Sequence, residues 1–376
     1  MQNLQPTKGI SGSLISAITG FNPYSDSVRA YNSIFGLEEE FTKEVMSWGN
    51  DLEPLMARRY AIHTGAHLWP NTDWGLHYFD PIVHPQYDWW CGTPDRLVIA
   101  DPTWIVPPEH FLQNYDQALA ECKVMLTLPA FWSQVLRGWE GKTAGPRMRR
   151  NWGEEGSDDI PEMYVCQSAW YLDLCRAFAP HLMQWDVSVF FDIHSFMHYQ
   201  IKYNPDFSNV LFGAAQDFWT KNVLTRTPPD RNDSPHWKAF FKKFFPYETE
   251  ELDEATKVEE QLMLRAYSIS TAIKEAEPEL EGLKNELRFR IGDREGIQGT
   301  LADGKIWKIT WKKNRDGVST DYEAAFRELA KLTDPKLAEK LLEDNTQPVT
   351  GARVLRTSWP KEAKTPKEKG RKKKGA

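Results

Sequence analysis

Asp95, Glu121 and Lys123 are the residues whose types and spacing point most directly to chemistry. Asp95 stands in "CGTPDRLVIA", and Glu121 and Lys123 flank Cys122 in "QALAECKVML". Read as a strand, residues 121 and 123 project from one face, while Cys122 packs behind them. Two opposite charges on a buried strand each cost several kcal/mol of desolvation unless something compensates them. The pattern therefore predicts a site that needs both charges.

A divalent cation is the compensation that this set of residues favours. If the two strands pair antiparallel, the carboxyl groups of Asp95 and Glu121 converge. Close carboxylates resist joint ionisation unless a cation lies between them, and hard oxygen ligands suit Mg²⁺ or Mn²⁺. The ammonium of Lys123 can then orient an attacking water or lower its pKa, which indicates metal-assisted hydrolysis.

Three further residues fit this chemistry by their positions in predicted helices. Glu53 lies in the first turn of "NDLEPLMARRYAIHTG" and offers another carboxylate. Tyr164 and Gln167 are three residues apart, so they share one helical face and can bind water or a phosphate. An Asp, then Glu-x-Lys, with a helical Glu before and a helical Gln after, is the order typical of PD-(D/E)xK nucleases.

The elements that must position these residues predict a mixed α/β (α+β) core of the PD-(D/E)xK, restriction-endonuclease-like class. Helical patterns over 9–75 precede strands and turns over 76–125, and a helix from Pro129 is interrupted by the polar run 141–159 and resumes at 161. The alternating run 184–204 predicts a hairpin, followed by a helix over 210–224. A mixed sheet flanked by helices is expected.

Three domains follow from this pattern. Residues 1–247 form the nuclease core, with insertions at about 100–117 and 137–161. Residues 248–355 form a helical arm and a small hairpin, with apolar residues at heptad spacing that Pro278 kinks or breaks. An arm that braces its own chain is favoured over one that pairs with a partner. Residues 356–376 form a disordered basic tail.

Charge and cysteine content narrow the function classes. The net charge of −7 argues against a general nucleic-acid binder, although 361–376 carries eight basic and two acidic residues. The tail either binds phosphates or only aids solubility. The four cysteines match no zinc motif, an iron–sulfur cluster is disfavoured, and no run suits a membrane span or signal peptide. A cytoplasmic protein is expected, in the host cytoplasm if a phage encodes it.

Motifs in order along most of the chain resemble the YqaJ-like viral recombinase family, relatives of the phage lambda exonuclease. The segments that carry the resemblance are "GISGSLISAITGFNPY", "SWGNDLEPLMARRYAIHTG", "WCGTPDRLV", "LAECKV", "MYVCQSAWYL" and "DFWTKNVLTRTPP". The resemblance implies Asp95, Glu121 and the Cys122 carbonyl as ligands of about two Mg²⁺ or Mn²⁺ ions, and Lys123 as the catalytic lysine. It also implies Glu53 as a second acidic contributor.

The resemblance also assigns DNA contacts. It implies that Gln167 and Tyr164 position water and phosphate, and that Ser13 and Thr93 contact a 5′ phosphate. Lambda-type members have an Arg before the opening helix, whereas this chain has Gln5 and Pro6, with only Lys8 close. Arg147, Arg149 and Arg150, together with Arg137 and Lys142, either line a DNA path or solvate a loop.

The resemblance implies an Mg²⁺-dependent exonuclease that acts 5′ to 3′ on linear double-stranded DNA. It would leave 3′ overhangs for phage-type recombination, serve a single-strand-annealing protein or a single-strand-binding protein, and close into a trimeric ring. A nicking or structure-specific endonuclease remains open, and an inactive DNA-binding scaffold is disfavoured by the intact set of residues. His63, His67 and His77 are expected to be ordinary histidines. Most of the 16 Trp residues, Trp89 and Trp90 included, are expected to be core rather than base-stacking residues.

Overall fold

The chain divides into two units, Met1–Pro246 and Tyr247–Ala376. The structure is a computed structural model, and it describes residues 4–37, 44–70, 81–105, 110, 113–192, 195–248, 252–300, 306–312, 322–332 and 335–345.

A five-stranded mixed sheet forms the centre of the first unit. Its strands lie in the order β1-β4-β5-β6-β7. Their bounds are β1 His67–Trp69, β4 Arg96–Ile99, β5 Val135–Thr143, β6 Gln184–Asp192 and β7 Ser195–Lys202, with a separate pair β2 Ile82–Val83 and β3 Cys91–Gly92. Neighbouring strands are antiparallel except β5 and β6, which are parallel. The predicted hairpin of β6 and β7 is confirmed.

Helices cover both faces of this sheet, which confirms the predicted fold class. They are α1 Gly12–Ile18, α2 Ser27–Ile34, α3 Glu44–Thr64, α4 Tyr115–Leu126, α5 Pro129–Trp132, α6 Glu162–Arg176, α7 Pro205–Phe218 and α8 Trp237–Phe244. On one face, Met56 and Tyr60 of α3 pack with Val98 and Trp139. The larger core lies on the other face and includes Trp170 of α6.

Residues 115–126 form helix α4, so the strand predicted there is wrong. The Asn114 side chain accepts a hydrogen bond from the Gln117 N–H at 3.2 Å and caps the helix. Only Ala118 and Cys122 of this helix are buried, four residues apart as a helix requires. Residues two apart on a helix do not share a face, so Glu121 and Lys123 cannot project together.

Residues 137–143 belong to strand β5, so the insertion predicted over 137–161 is also wrong in its first part. The chain leaves the sheet only after Thr143, and the helix predicted from Pro129 is the single turn α5. Gly138 allows the close packing of β5 on β6, because a Cβ at this position would lie 2.2 Å from the ring of Trp185. Trp185 is fully buried and has no room to move away.

The second unit contains the predicted helical arm and hairpin. Helix α9, Lys257–Ile291, begins with a capping box of Thr256 and Glu259 and continues through Pro278, where a kink or break was expected. Strands β8 Gly296–Thr300 and β9 Ile306–Thr310 pair antiparallel, and helices α10 Tyr322–Leu332 and α11 Pro335–Asn345 follow. Apolar residues of the heptad pattern, Ile269 and Leu283 among them, are exposed. The basic tail lies outside the described residues.

Gly138→Ala should destabilise the first unit by about 1–3 kcal/mol, because the added methyl group overlaps the immobile Trp185 ring. Gly213→Ala is the matched control. Gly213 lies inside helix α7 with nothing within 4 Å of an added Cβ, so alanine there should stabilise by about 0.5–1 kcal/mol. Chemical denaturation of both variants measures the difference, and equal unfolding free energies would contradict the packing of β5 on β6.

Candidate active site

Two carboxyl groups meet where strands β4 and β5 part. The pairing of these strands ends at Arg96 and Trp139, so the next residues outward, Asp95 and Glu140, face each other. The N–H of Gly141 donates to Oδ2 of Asp95 at 2.8 Å, and the N–H of Asp95 donates to Oε2 of Glu140 at 3.4 Å. The Asp95 carboxylate thus accepts a hydrogen bond from a backbone N–H of β5 that lies beyond the last paired residues of β4 and β5.

Lys142 and Gln167 complete a hydrogen-bonded cluster around Glu140. Glu140 and Lys142 lie on the same face of β5 because they are two residues apart on a strand. The ammonium of Lys142 and the amide of Gln167, from helix α6, each donate to Oε1 of Glu140 at 2.7 Å. The Lys142 ammonium also lies 5.3 Å from the ring centre of Tyr164. A Glu-x-Lys set, an Asp and a helical Gln therefore converge at this point.

Burial makes these charges depend on each other. Glu140 is 3% exposed. Its burial, and next the charge of Asp95, raise the pKa of Glu140 to about 8. Burial alone would lower the pKa of Lys142, but the charges of Glu140 and Asp95 outweigh it and raise that pKa to about 12. Burial likewise raises the pKa of Tyr164. The cluster accordingly holds a cationic lysine beside a carboxyl group that resists ionisation.

The donor set fits a hard divalent cation. Asp95 and Glu140 present carboxylate oxygens from two different strands, and a cation between them would relieve the repulsion that raises the pKa of Glu140. Oxygen ligands of this kind suit Mg²⁺ or Mn²⁺.

Glu121 and Lys123, expected at this position, lie instead on helix α4. Oε1 of Glu121 accepts a hydrogen bond from the Gln117 side chain at 3.2 Å, and its Oε2 lies 3.7 Å from Nδ1 of His110. No contact that the structure describes joins Glu121, Lys123 or the Cys122 carbonyl to Asp95. The placement of these three residues opposite Asp95 is wrong because the segment is a capped helix.

The sequence contained the signal for the other Glu-x-Lys set. Glu140-Gly141-Lys142 has the same spacing, but the glycine, the lysine and the polar run after them suggested a loop. Arg96 is a further residue of the site that the sequence did not indicate. It is completely buried directly after Asp95, and a buried arginine needs a partner.

Glu53 supplies that partner. Nη1 of Arg96 lies 2.6 Å from Oε1 of Glu53 and also donates to the backbone carbonyl of Asp95 at 2.5 Å. Arg96 is opposite Trp139 in the strand pairing and shares its face, which is the face covered by α3. Among the described contacts, Glu53 therefore reaches the cluster through Arg96, and its role as a direct metal ligand stays a prediction.

Ser13 and Thr93 belong to two segments that run side by side. The N–H of Ile10 donates to the Trp89 carbonyl at 2.6 Å, and the N–H of Cys91 donates to the Ile10 carbonyl at 3.2 Å. Gly12 and Gly92 both pack on the ring of Tyr171, at 2.7 and 2.4 Å from an added Cβ. Ser13 is exposed next to Gly12, and Thr93 is half-buried next to Gly92. Lys8 is exposed just before this pairing.

The arginines of the connection after β5 divide into two groups. Arg149 donates to the carbonyls of Trp152 and Gly153, at 2.6 and 3.2 Å, and so fixes the connection itself. Arg147 and Arg150 are exposed on the short 3-10 helix Pro146–Asn151. Arg137 is not part of this connection, because it lies in β5 with its Nε 2.7 Å from Asp186.

The tryptophans predicted to be core residues are buried. Trp89 is 7% and Trp90 5% exposed, and they pack on other aromatic rings such as Trp219 and Trp170. Trp48 differs, being 59% exposed on α3. It precedes Gly49, which lies close to Thr143, the residue after Lys142. An exposed tryptophan therefore lies on α3 directly before a residue that is close to Thr143.

No helix among the described residues has both the length and the apolar character that crossing a membrane requires. No curated protein matches the chain. Among solved structures, the chain is similar to an alkaline exonuclease, LHK-Exo, from Laribacter hongkongensis, with 13% identity and a TM-score of 0.38 over 58% of this chain and 89% of that chain. LHK-Exo in complex with dAMP gives 12% identity, the same TM-score and the same coverage.

Residues 5–175 match the model described as the YqaJ-like viral recombinase domain, and this range contains Asp95, Glu140, Lys142 and Gln167. The resemblance drawn from the motifs is thereby confirmed over residues 5–175, the part of the chain that matches the YqaJ-like viral recombinase domain.

Proposed function

We propose that this nuclease is a divalent-cation-dependent exonuclease that degrades one strand of linear double-stranded DNA from its 5′ end. The observation that carries the proposal is the single hydrogen-bonded cluster of Asp95, Glu140, Lys142 and Gln167. The product would be a 3′ single-stranded overhang of the kind that strand-annealing recombination uses. A single-strand-annealing or single-strand-binding protein as partner, a trimeric ring, and a cytoplasmic location belong to the same proposal and rest on the family alone.

Asp95 and Glu140 would hold the cation, with the Gly141 carbonyl as a further ligand in place of the Cys122 carbonyl expected from the sequence. Mg²⁺ or Mn²⁺, with two ions as the expected number, supplies charge stabilisation for in-line attack of water on a phosphodiester. The hydrogen bond from Gly141 N–H to Asp95 holds that carboxylate beside Glu140. Arg96, paired with Glu53, holds the backbone of Asp95 from the opposite face.

Lys142 would supply positive charge to the site, and Gln167 would orient the Glu140 carboxylate. The raised pKa of Lys142 keeps its ammonium protonated at neutral pH, so it supplies a positive charge and a proton donor for a water or a phosphate oxygen. Gln167 shares Oε1 of Glu140 with Lys142 and so limits the rotation of that carboxylate. Tyr164, next to the ammonium, would line the phosphate path.

Ser13 and Thr93 would meet the 5′ end of the DNA. Each directly follows a glycine packed on Tyr171, and Tyr171 is one turn along α6 from Gln167. Lys8, Arg147 and Arg150 are exposed cations that would contact the DNA backbone.

One sequence feature favours a second candidate, a nicking or structure-specific endonuclease on the same site. Gln5 and Pro6 stand where lambda-type members have an Arg, which weakens selection for a 5′ phosphate.

Matched substitutions distinguish the two Glu-x-Lys sets. Glu140→Gln and Lys142→Met should each lower Mg²⁺-dependent digestion of linear duplex DNA by at least about a hundredfold, because each removes a charge from the cluster. Glu121→Gln and Lys123→Met remove the same charges from helix α4 and should leave digestion within about twofold of the wild type. A gel assay of initial rates with equal protein concentrations decides the matter. Loss of activity only in the α4 pair would refute the assignment of Glu140 and Lys142.

End-labelled duplexes and a closed circle test the direction of degradation. The wild type should release label from 5′-labelled linear DNA at once, release 3′ label late, and leave a covalently closed circle intact. A 5′-hydroxyl duplex compared with a 5′-phosphate duplex measures the end selectivity left to Lys8, Ser13 and Thr93. Linearised or nicked circles would instead establish the endonuclease.

Cation binding should depend on pH through Glu140. Because the pKa of Glu140 is raised to about 8 in the metal-free protein, the carboxyl group is protonated near pH 6 and must release a proton to bind a cation. Mg²⁺ affinity should therefore rise between pH 6 and 8 by up to about tenfold per pH unit, and calorimetry in two buffers of different ionisation enthalpy measures the proton released.

The same shift predicts the stability of the metal-free protein. A carboxyl group whose pKa is higher in the folded than in the unfolded protein stabilises the fold most at a pH below the unfolded pKa. This contribution to the free energy of unfolding is lost as the pH rises through about 8. The melting temperature in chelator should fall between pH 5 and 8, and the fall should be smaller in Glu140→Gln. Identical pH profiles for the two proteins would show that Glu140 is not the titrating group.

A further inference from the structure

Three side chains of metal-ligand type meet at the edge of the sheet, apart from the cluster around Glu140. His63 comes from the last turn of α3, His198 from β7, and Glu155 from the connection between β5 and α6. The ligand atoms of these three residues lie within 4.8 Å of one another. Among the described residues, this is the one group of three or more His, Cys, Asp or Glu side chains that is close enough to hold a metal ion.

Backbone hydrogen bonds hold two of the three ligands together. β7 is the edge strand of the sheet, and the connection runs along its free side. The N–H of Gly156 donates to the carbonyl of His198 at 2.9 Å, and the N–H of Gln200 donates to the carbonyl of Ser157 at 3.0 Å. The N–H of His198 donates to Oε1 of Glu155 at 3.2 Å. Glu155 therefore stays beside His198 without help from a cation.

The third ligand is placed by helix α3. Tyr60 and His63 are three residues apart on one face of the helix, and both rings contact the ring of His198, with centres 6.0 and 6.2 Å away. Tyr60 is fully buried and its hydroxyl donates to Asp186, which fixes this part of α3 on the sheet. The two imidazole rings accordingly meet edge to face, with an interplanar angle of 66°, from two rigid elements.

The chemistry of the ligands selects the kind of cation. Two imidazole nitrogens and one carboxylate oxygen are the set that binds Zn²⁺ and similar transition cations, whereas Mg²⁺ prefers oxygen ligands alone. Around tetrahedral Zn²⁺, with bonds of about 2.0–2.2 Å, donor atoms lie about 3.3 Å apart. The three side chains must approach each other by up to about 1.5 Å, and His63 and Glu155 are exposed and able to rotate.

We propose that His63, Glu155 and His198 bind one Zn²⁺ ion, which fastens the connection between β5 and α6 to helix α3 and strand β7. The site is separate from the nuclease cluster, since ten residues of helix, or about 15 Å, lie between Glu53 and His63. A water molecule would occupy the remaining coordination position. The ion would hold the segment that carries Arg147 and Arg150, and the proposal does not depend on what the nuclease cluster does.

Calorimetric titration of the full chain with Zn²⁺ in excess Mg²⁺ tests the site. The wild type should bind one Zn²⁺, and His63→Gln and His198→Gln should each weaken this binding by at least about tenfold. His67→Gln is the matched control, because His67 is exposed on β1 only four residues from His63 and outside the group. Glu140→Gln should bind Zn²⁺ as the wild type does. Zn²⁺ binding that is absent in the wild type, or that Glu140→Gln removes and His63→Gln leaves unchanged, would overturn the proposal.

Two further measurements guard against variants that fold poorly. Thermal melting in chelator should be the same for the wild type and His63→Gln, and added Zn²⁺ should raise the melting temperature of the wild type alone. Zn²⁺ should also slow tryptic cleavage after Arg147 and Arg150 in the wild type and not in His63→Gln. An equal effect of Zn²⁺ on both proteins would count against the site.

Discussion

The repulsion between two carboxyl groups that share one end of a strand pair is the constraint on which the site depends. Glu140 is buried and Asp95 is directly opposite, so neither charge can be accommodated by solvent alone. The protein offsets this cost with Lys142 and Gln167, both within 2.7 Å of Oε1 of Glu140. The arrangement is stable enough to fold, yet it still favours a cation between the two carboxyl groups. The cluster therefore fits the divalent-cation site that we propose for hydrolysis.

Because side chains alternate along a strand, the two faces of β5 carry different groups: the polar cluster on one and packing residues on the other. Glu140 and Lys142 turn toward α6, while Trp139 turns toward α3 and packs on Tyr60. The α3 face also contains the buried pair of Arg96 and Glu53, whose guanidinium donates to the backbone of Asp95. The face that carries Glu140 and Lys142 is therefore supported from behind by a buried ion pair.

The sequence predicts the fold class, the family and part of the site, and it fails where local pattern and tertiary context conflict. Asp95 and Gln167 were predicted beside Glu121 and Lys123, and they lie beside Glu140 and Lys142 instead. Residues 5–175 contain two such Glu-x-Lys sets, and the more apolar one, with Glu121, was taken for a buried strand. In β5 the glycines and Lys142 gave the appearance of a loop, since nothing local shows that Trp185 fills the space beside Gly138. Asn114, a residue type that caps helices, was the sequence signal that could have identified residues 115–126 as a helix. A helix cannot present residues i and i+2 to one cation.

Helix α3 connects the centre of the sheet with one of its edges, and no sequence pattern predicts this. Glu53 contacts β4, Tyr60 contacts β6 and His63 contacts β7, so the helix crosses the sheet from its centre to its edge. Ten residues of helix span about 15 Å, and three strand spacings span about 14 Å. The match lets one rigid element support the backbone of Asp95 at one end and present a histidine to the edge strand at the other. The proposed cation site at the centre and the proposed Zn²⁺ site at the edge are consequently compatible in one small domain, because each draws on its own end of the same helix.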